Sequence, residues 1–206
     1  SQRTIDQAFA GVTPNPTVLR LDRNQKHFRV SFEKFVAQRV TKARISKART
    51  MLQRHARLFD SVEARFGVPR QVIVAIWAME TDFGANTGNM SVIRSLATLA
   101  HDCRRTELFQ GELMAALMIV ERGDMTTAQM RGAWAGELGQ TQFLASNYLR
   151  LAVDFDGDRR RDLIRSVPDV LASTANYLKA YGWQRGRPWQ PGTANFEVIN
   201  QWNKSD

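Results

Sequence analysis

Eight consecutive apolar residues, 72–79, are the feature that most constrains the fold of this chain. An α-helix turns once in about 3.6 residues, so an apolar run of this length covers its whole circumference. Such a helix is stable only when other elements surround it. Gly67 and Pro69 precede the run, at positions that suit the end of one helix and the start of the next. The sequence therefore predicts a buried central helix over residues 69–82.

The remainder of the chain also has mainly helical periodicity. Apolar residues three and four apart predict further helices at residues 48–66, 92–101, 106–120, 146–153 and 169–181. The alternation typical of strands is scarce. Because helical periodicity dominates, we predict a mainly α class. A chain of 206 residues with 43% hydrophobic content is long enough to bury a substantial core.

Positive charge is concentrated towards the N-terminal end. Residues 18–70 contain 14 Lys and Arg against 4 Asp and Glu, whereas the whole chain has a net charge of +9. This basic segment indicates either an anionic partner or a solvated helix face. The absence of an aromatic RNA-binding signature and of a Cys/His finger makes nucleic acid the weaker candidate. The single Cys103 excludes an internal disulfide and a multi-cysteine zinc site.

Glu80 directly follows the apolar run. A carboxyl group in that place loses hydration, which disfavours its charged form and raises its pKa. A carboxylic acid that is protonated near neutral pH suits general-acid catalysis, and the alternative is a helix-end Glu turned to solvent. Asp82 lies about 200° further around the helix, so it does not share a face with Glu80. This helix therefore does not supply the usual pair of facing glycosidase carboxylates.

A glycine-rich segment at residues 132–143 predicts a loop whose backbone closely approaches another group. Its amides offer uncharged donors and acceptors, and its aromatic rings offer flat apolar faces. This combination is typical of a sugar-binding cleft, although a structural glycine turn remains the alternative. The side chains concerned are Trp134, Gln140, Gln142 and Phe143.

An aspartate-rich segment at residues 154–162 resembles a calcium-binding loop. Two positions depart from that pattern, because Arg159 replaces the usual turn glycine and Arg165 replaces the usual terminal Glu. Three consecutive arginines can instead neutralise the aspartates. The candidate calcium ligands are Asp154, Asp156, Asp158, Arg160 and Asp169.

Several ordered motifs resemble those of the membrane-bound lytic murein transglycosylase B family. They are Gly67-Val68-Pro69, Glu80-Thr81-Asp82-Phe83-Gly84, the segments 132–143 and 154–162, Asp22-Arg23-Asn24-Gln25, Arg104-Arg105, and Ala175-Asn176-Tyr177-Leu178. The resemblance implies a mainly α fold with a goose-type lysozyme-like catalytic core and a basic helical N-terminal lobe. The expected parts form one structural unit: an extended arm at 1–17, the basic lobe at 18–66, the core at 67–183 and a C-terminal segment at 184–206 that completes the cleft.

The resemblance also implies an activity. Enzymes of this family cleave the β-1,4 bond between N-acetylmuramic acid and N-acetylglucosamine in peptidoglycan without water, leaving 1,6-anhydromuramoyl ends. The family's catalytic Glu matches Glu80, which would act first as acid and then as base. The family's substrate-binding Gln and Asn match Gln142 and Asn203. Further expected substrate-binding residues are Trp134, Gln140, Phe143, Phe35 and Trp202.

By the same resemblance, the expected partners are peptidoglycan glycan strands, with no nucleic acid. No cofactor is required, and calcium is at most structural. The expected location is the periplasm or cell envelope of a bacterium, with no leader in this chain and any membrane anchor outside it. We expect a monomer.

Four positions depart from the family pattern. Ala133 replaces a serine, and Phe35 and Trp202 replace tyrosines, so three hydroxyl groups are lost. Glu137 replaces a small apolar residue, and we expect it to point outward and the product to remain the anhydro sugar. A hydrolytic muramidase with Glu137 as base and a non-catalytic peptidoglycan-binding protein stay open as alternatives. The connection at 184–194 is shorter than in the family. It is either a true deletion or a place where residues are missing from the sequence.

Overall fold

The computed structural model describes residues 1–24 and 31–203. Helices dominate this part of the chain. Its elements are α1 (Gln2–Phe9), α2 (Pro16–Arg23), α3 (Phe32–Arg39), α4 (Lys42–Arg54), α5 (Ala56–Phe66), α6 (Arg70–Thr81), β1 (Met90–Ser91), α7 (Val92–His101), α8 (Thr106–Arg122), β2 (Arg131–Gly132), α9 (Ala145–Leu151), α10 (Val167–Ala180) and α11 (Ala194–Trp202). Gln25 of the predicted motif and residues 204–206 of the predicted C-terminal segment lie outside the described residues.

The apolar run forms α6, as predicted. Most of its side chains are buried, among them Ile73 and Trp77. α4 and α10 both pack against it. α5 ends before it at Gly67, whose φ of 76° lies in the left-handed region that glycine adopts without strain. The prediction of a buried central helix is confirmed.

The core continues from α6 into α10, which is buried over residues 169–175. α10 packs against α5, α9 and α11, and α7 packs against α8. Apolar residues from Ala8 to Val198 belong to this one hydrophobic cluster. Burial of this area is the main favourable term in the folding of the chain.

Two expectations for the N-terminal part are wrong. Residues 1–17 are not an extended arm, because α1 begins directly after Ser1, whose side chain caps it, and packs against α8. Pro16 occupies the first turn of α2 rather than a loop. The helix predicted at 48–66 is two helices, α4 and α5, that meet at His55.

The basic segment is helical, as predicted, and several of its helices pack against the rest of the described chain. α2 packs against α7, α4 against α6 and α5 against α10. Neither α3 nor α4 contributes a fully buried residue, but Ala48, Met51 and Leu52 of α4 are partly buried against the core. The basic segment therefore joins the core mainly through α2, α4 and α5.

The glycine-rich segment folds against the end of β1. β1 and β2 are antiparallel, with Met90 opposite Gly132. Isolated bridges continue the pairing from Gly132 to Leu138 and from Leu138 to Phe143. The segment is thus a small irregular sheet rather than a free loop.

None of the helices in the described ranges is long and apolar enough to cross a lipid bilayer.

Candidate active site

Glu80 lies in the last turn of α6 and is partly buried. Within the described residues, its carboxylate Oε1 accepts a hydrogen bond from Nε1 of Trp202 at 2.9 Å. Burial raises the pKa of Glu80 above its ordinary 4.5, the hydrogen bond from Trp202 opposes this, and the nearby charge of Glu137 adds to it. Glu80 therefore retains its proton to a higher pH than an ordinary glutamate does.

Trp202 is held in place by an aromatic cluster. Its ring meets that of Tyr177 edge-on at 4.6 Å between centroids and that of Phe143 at 5.6 Å. Tyr177 stacks in turn on Tyr181 at 4.5 Å. The cluster joins α10 and α11 and orients the indole N–H towards Glu80. The sequence predicted Trp202 as a substrate contact, but did not reveal its contact with Glu80, 122 residues away.

The turn after Glu80 is bonded to the glycine-rich segment. The Thr81 hydroxyl donates to the carbonyl oxygen of Gln140 at 2.5 Å and accepts from the Gly84 N–H at 2.9 Å. A Cβ at Gly84 would lie 2.6 Å from Oε1 of Gln140, so only glycine fits there. These contacts fix the two predicted motifs relative to each other.

Gln140 and Phe143, both predicted to bind substrate, are buried, and their predicted substrate contacts stay predictions. Gln140 is 8% exposed; its Oε1 accepts from Nε1 of Trp77 at 2.8 Å and its Nε2 donates to the carbonyl of Ile164 at 2.9 Å. Phe143 is 2% exposed, and its ring packs edge-on against that of Trp202. Both residues support the site from the core.

Gln142 differs from Gln140 although the two lie only two residues apart. It is partly exposed and has a φ of 51°, in the left-handed region. Its Nε2 donates to the carbonyl oxygens of Gly139 at 2.8 Å and Thr87 at 3.3 Å. Backbone strain of this kind, in a residue other than glycine, is typical of functional sites. Its predicted role in substrate binding stays a prediction.

Glu137 does not point outward, contrary to expectation. Its Oε2 is buried and has no hydrogen-bond partner among the described residues. Burial raises the pKa of Glu137, while nearby backbone N–H groups and the charge of Arg105 lower it. The carboxyl is close enough to Glu80 to raise that residue's pKa. A second carboxyl therefore lies within electrostatic range of Glu80, and one of its oxygens is inside the protein rather than in open solvent.

The other predicted contact residues occupy the periphery. Trp134 is partly exposed and packs against the core. Asn203 is exposed at the C-terminal end of α11, directly after Trp202. Phe35 lies on α3, with the Arg39 guanidinium 5.7 Å from its ring centre. Their predicted substrate contacts stay predictions.

The aspartate-rich segment brings three carboxylates together. One oxygen each from Asp154, Asp156 and Asp169 lies within 4.8 Å of the others. Asp169 is fully buried and accepts from the backbone N–H groups of Phe155 at 2.7 Å and Asp162 at 2.8 Å. Burial raises its pKa against these hydrogen bonds. Carboxylate oxygens are the type of donor that a hard cation such as calcium prefers, and these three supply part of the about six to eight oxygen ligands that calcium takes.

Two further residues are predicted calcium ligands. Asp158 lies outside the three-carboxylate cluster, and its Oδ1 accepts from the N–H of Arg160 at 2.8 Å. The Arg160 guanidinium donates to the carbonyl of Asp124 at 3.2 Å. A residue at this position of a calcium loop binds through its backbone carbonyl oxygen, so the prediction for Arg160 stays a prediction. Arg159 has a φ of 72°, so the turn usually made by glycine forms here with an arginine.

The geometry defines a helical protein with a half-buried acid at the end of a central helix, supported by a glycine-rich segment. The family model described as Transglycosylase SLT domain matches residues 1–193, and the chain belongs to this family. Membrane-bound lytic murein transglycosylase B of Escherichia coli (strain K12) is 39% identical over 122 residues, which are 59% of this chain and 34% of that protein.

Solved structures agree with this assignment. SltB3 from Pseudomonas aeruginosa, in complex with NAG-anhNAM-pentapeptide, superposes with a TM-score of 0.88 and 46% identity over 92% of this chain and 50% of SltB3. Slt35 from Escherichia coli, in complex with calcium, gives 0.80 and 29% over 91% of this chain and 64% of Slt35. This chain spans half of SltB3 and about a third of the membrane-bound relative. The predicted family and the mainly α, lysozyme-like fold are confirmed.

Proposed function

We propose that this protein is a lytic transglycosylase that cleaves the β-1,4 bond between MurNAc and GlcNAc in peptidoglycan, with Glu80 as its catalytic residue. The observation that carries the proposal is the Glu80 carboxyl, half-buried at the end of α6, oriented by Trp202 and raised in pKa by burial. SltB3 was crystallised with an anhydro muropeptide, the kind of product that this reaction yields.

The proposed reaction uses Glu80 twice. Its proton moves to the glycosidic oxygen, the bond from that oxygen to C1 breaks, and the electron pair leaves with GlcNAc. The carboxylate then accepts the proton of the muramic 6-hydroxyl while the hydroxyl oxygen bonds to C1. Glu80 is protonated again and no water is consumed. The hydroxyl is tethered beside C1, so an effective molarity of about 10⁵ M or more favours this closure.

The groups around Glu80 divide into supporting and substrate-facing sets. Gln140 and Phe143 hold the segment and the indole in place, as described above. Gln142, Trp134 and Asn203 remain partly or fully exposed and are proposed to contact the glycan strand. Amides and aromatic faces bind sugar hydroxyls and apolar ring faces without introducing a competing charge.

The proposal extends to calcium and to location. Asp154, Asp156 and Asp169 would hold a calcium ion, whose chemistry there is structural because the reaction above needs no metal. No cofactor is required. We place the protein in a bacterial periplasm or cell envelope as a monomer that binds glycan strands and no nucleic acid. The membrane-bound name of the Escherichia coli relative supports an envelope location.

A hydrolytic muramidase is the second candidate, because Glu137 lies near Glu80. A hydrolase needs a second carboxylate that activates water or attacks the sugar directly. Glu137 suits neither role well, because its Oε2 is buried under protein and is not open to a water molecule or to the sugar. The intramolecular route by Glu80 therefore has the stronger support.

Mass spectrometry of purified peptidoglycan digests tests both candidates. Wild-type protein and Glu137→Ala are both expected to release 1,6-anhydromuramoyl ends, and Glu80→Gln is expected to release them about 10²–10⁴-fold more slowly. Reducing muramic ends from wild type that disappear in Glu137→Ala would establish a hydrolase instead. Binding to peptidoglycan without any cleavage product would support the non-catalytic alternative.

A further inference from the structure

The turn that follows Glu80 contains two successive residues in the left-handed region. Asp82 has a φ of 53° and Phe83 a φ of 61°. Residues with a Cβ adopt this conformation at an energetic cost and keep it only where the surroundings hold them. The end of the helix that carries Glu80 therefore depends on contacts from outside that helix.

Lys47 of α4 provides those contacts. Its Nζ donates to Oδ2 of Asp82 at 2.9 Å and to the Asp82 carbonyl oxygen at 3.1 Å. The same ammonium lies 5.1 Å from the ring centre of Phe83, within range of a cation–π contact. One side chain thus binds the backbone and side chain of the first strained residue and the ring of the second.

Neighbouring groups reinforce this arrangement. Nε of Arg44, one turn earlier on α4, lies 3.8 Å from Oδ1 of Asp82. The Phe83 ring packs edge-on against Trp77 at 5.4 Å, which joins the turn to the buried face of α6. A cation also interacts favourably with the partial negative charge at a helix C-terminus. α4 therefore covers the end of the catalytic helix with charges of the right sign.

The geometry points to Lys47 as a positioning residue for the proposed reaction: by holding Asp82 and Phe83, it fixes the end of α6 and aims the Glu80 carboxyl. This inference rests on the proposed function of Glu80. It gives part of the basic segment a task inside the enzyme, in place of attraction to a charged polymer. A displacement of about 1 Å in a reacting group can cost about a hundredfold in rate, so a small loosening of the turn is measurable.

Kinetics on short glycan fragments distinguish positioning of Glu80 by Lys47 from electrostatic attraction of the polymer. Lys47→Met and Asp82→Asn are each expected to lower kcat about tenfold and to leave KM within about twofold, because aim is lost and binding is not. The double variant is expected to be no slower than the slower single variant, since both changes break the same contact. Arg49→Met removes an exposed charge two residues along the same helix and is the matched control, with both constants within about twofold of wild type.

Lys47→Arg keeps the charge but changes the donor geometry, and it should recover part of the lost kcat. Thermal melting shows whether Lys47→Met folds. If it does not, the kinetics of Lys47→Arg test the inference in its place. A higher KM with unchanged kcat, losses that multiply in the double variant, or wild-type kinetics in Lys47→Met would each overturn the inference. Absence of anhydro ends from wild type would instead overturn the proposed function, so the two failures are distinguishable.

Discussion

The end of α6 and the aspartate-rich segment both bury a carboxyl group, but they treat it differently. In the described part of the chain, Glu80 receives its hydrogen bond from one side chain, Trp202. Asp169 receives two from backbone N–H groups and has no exposed surface. Burial raises the pKa in both cases. A raised pKa alone therefore does not identify a catalytic acid.

Access and the type of donor make the difference. Backbone donors are fixed in the fold, so Asp169 ties residues 155 and 162 to α10. Glu80 is only partly buried, and its donor is a side chain on a separate helix, α11. One carboxyl can exchange a proton with a substrate, and the other holds a loop.

The largest expected effect tests the role of Glu80 as the catalytic acid. Glu80→Gln is expected to reduce the rate of anhydro-end formation by about 10²–10⁴-fold, because Gln keeps the size of the side chain but cannot act as an acid. Peptidoglycan digestion followed by mass spectrometry measures the rate. The melting temperature is expected to stay near that of wild type. Activity within tenfold of wild type would remove Glu80 from the mechanism.

The structural role of Asp169 is tested by measuring the free energy of unfolding. Asp169→Ala leaves the N–H groups of Phe155 and Asp162 without their acceptor, at about 1–3 kcal/mol each. We therefore expect the free energy of unfolding to fall by about 2–6 kcal/mol. Denaturant titration measures this, and exposed Asp158→Ala is the control, expected within about 0.5 kcal/mol of wild type. Equal losses in both variants would refute the structural role of Asp169.

A pair of variants sharpens the comparison through pH. The raised pKa of Glu80 keeps the acid protonated to higher pH, and activity is lost as pH rises through that value. Trp202→Phe removes a hydrogen bond that favours the charged form, so the alkaline limb of kcat/KM should move to higher pH. Glu137→Gln removes a neighbouring negative charge, so the limb should move to lower pH. Shifts in the same direction would contradict this account.

The sequence was sufficient to predict the frame of the site. The unbroken apolar run, which follows Gly67 and Pro69, favoured a buried helix, and Glu80 directly after it was placed at the border of the core. The sequence also separated α7 correctly, at residues 92–101. These features depend on local periodicity and on composition, which can be read directly from neighbouring residues.

Contacts between distant segments could not be predicted in the same way. Gln140 and Gln142 are both glutamines of the glycine-rich segment, and in an extended chain residues two apart point to the same side. The left-handed φ of Gln142 breaks that pattern, so Gln140 is buried whereas Gln142 is partly exposed. Trp202 was expected at the substrate, and only the packing of α11 against α10 brings its indole N–H to Glu80. Glu137 was expected outside, because sequence alone does not show how the segment folds back on itself.

The smallest expected effect concerns calcium in the aspartate-rich segment. Asp154 and Asp169 already accept hydrogen bonds from backbone N–H groups, so their carboxylates are held without an ion. The position that usually supplies a bidentate Glu is Arg165, which adds a positive charge instead of a ligand.

Binding should therefore be weak, with a Kd of about 1 mM, as for extracellular calcium modules. At ~10 mM calcium this stabilises the folded state by about 1.4 kcal/mol, or a few degrees in Tm. Because Glu80 lies on a different element, a chelator is expected to leave the rate of anhydro-end formation within about twofold of its value in calcium. Melting curves and digestion assays with and without chelator measure both quantities, and Asp154→Asn should abolish the calcium-dependent rise in Tm while leaving activity intact. A large loss of activity in chelator that calcium alone restores would show that the segment controls the acid, and the separation between the two regions would be wrong.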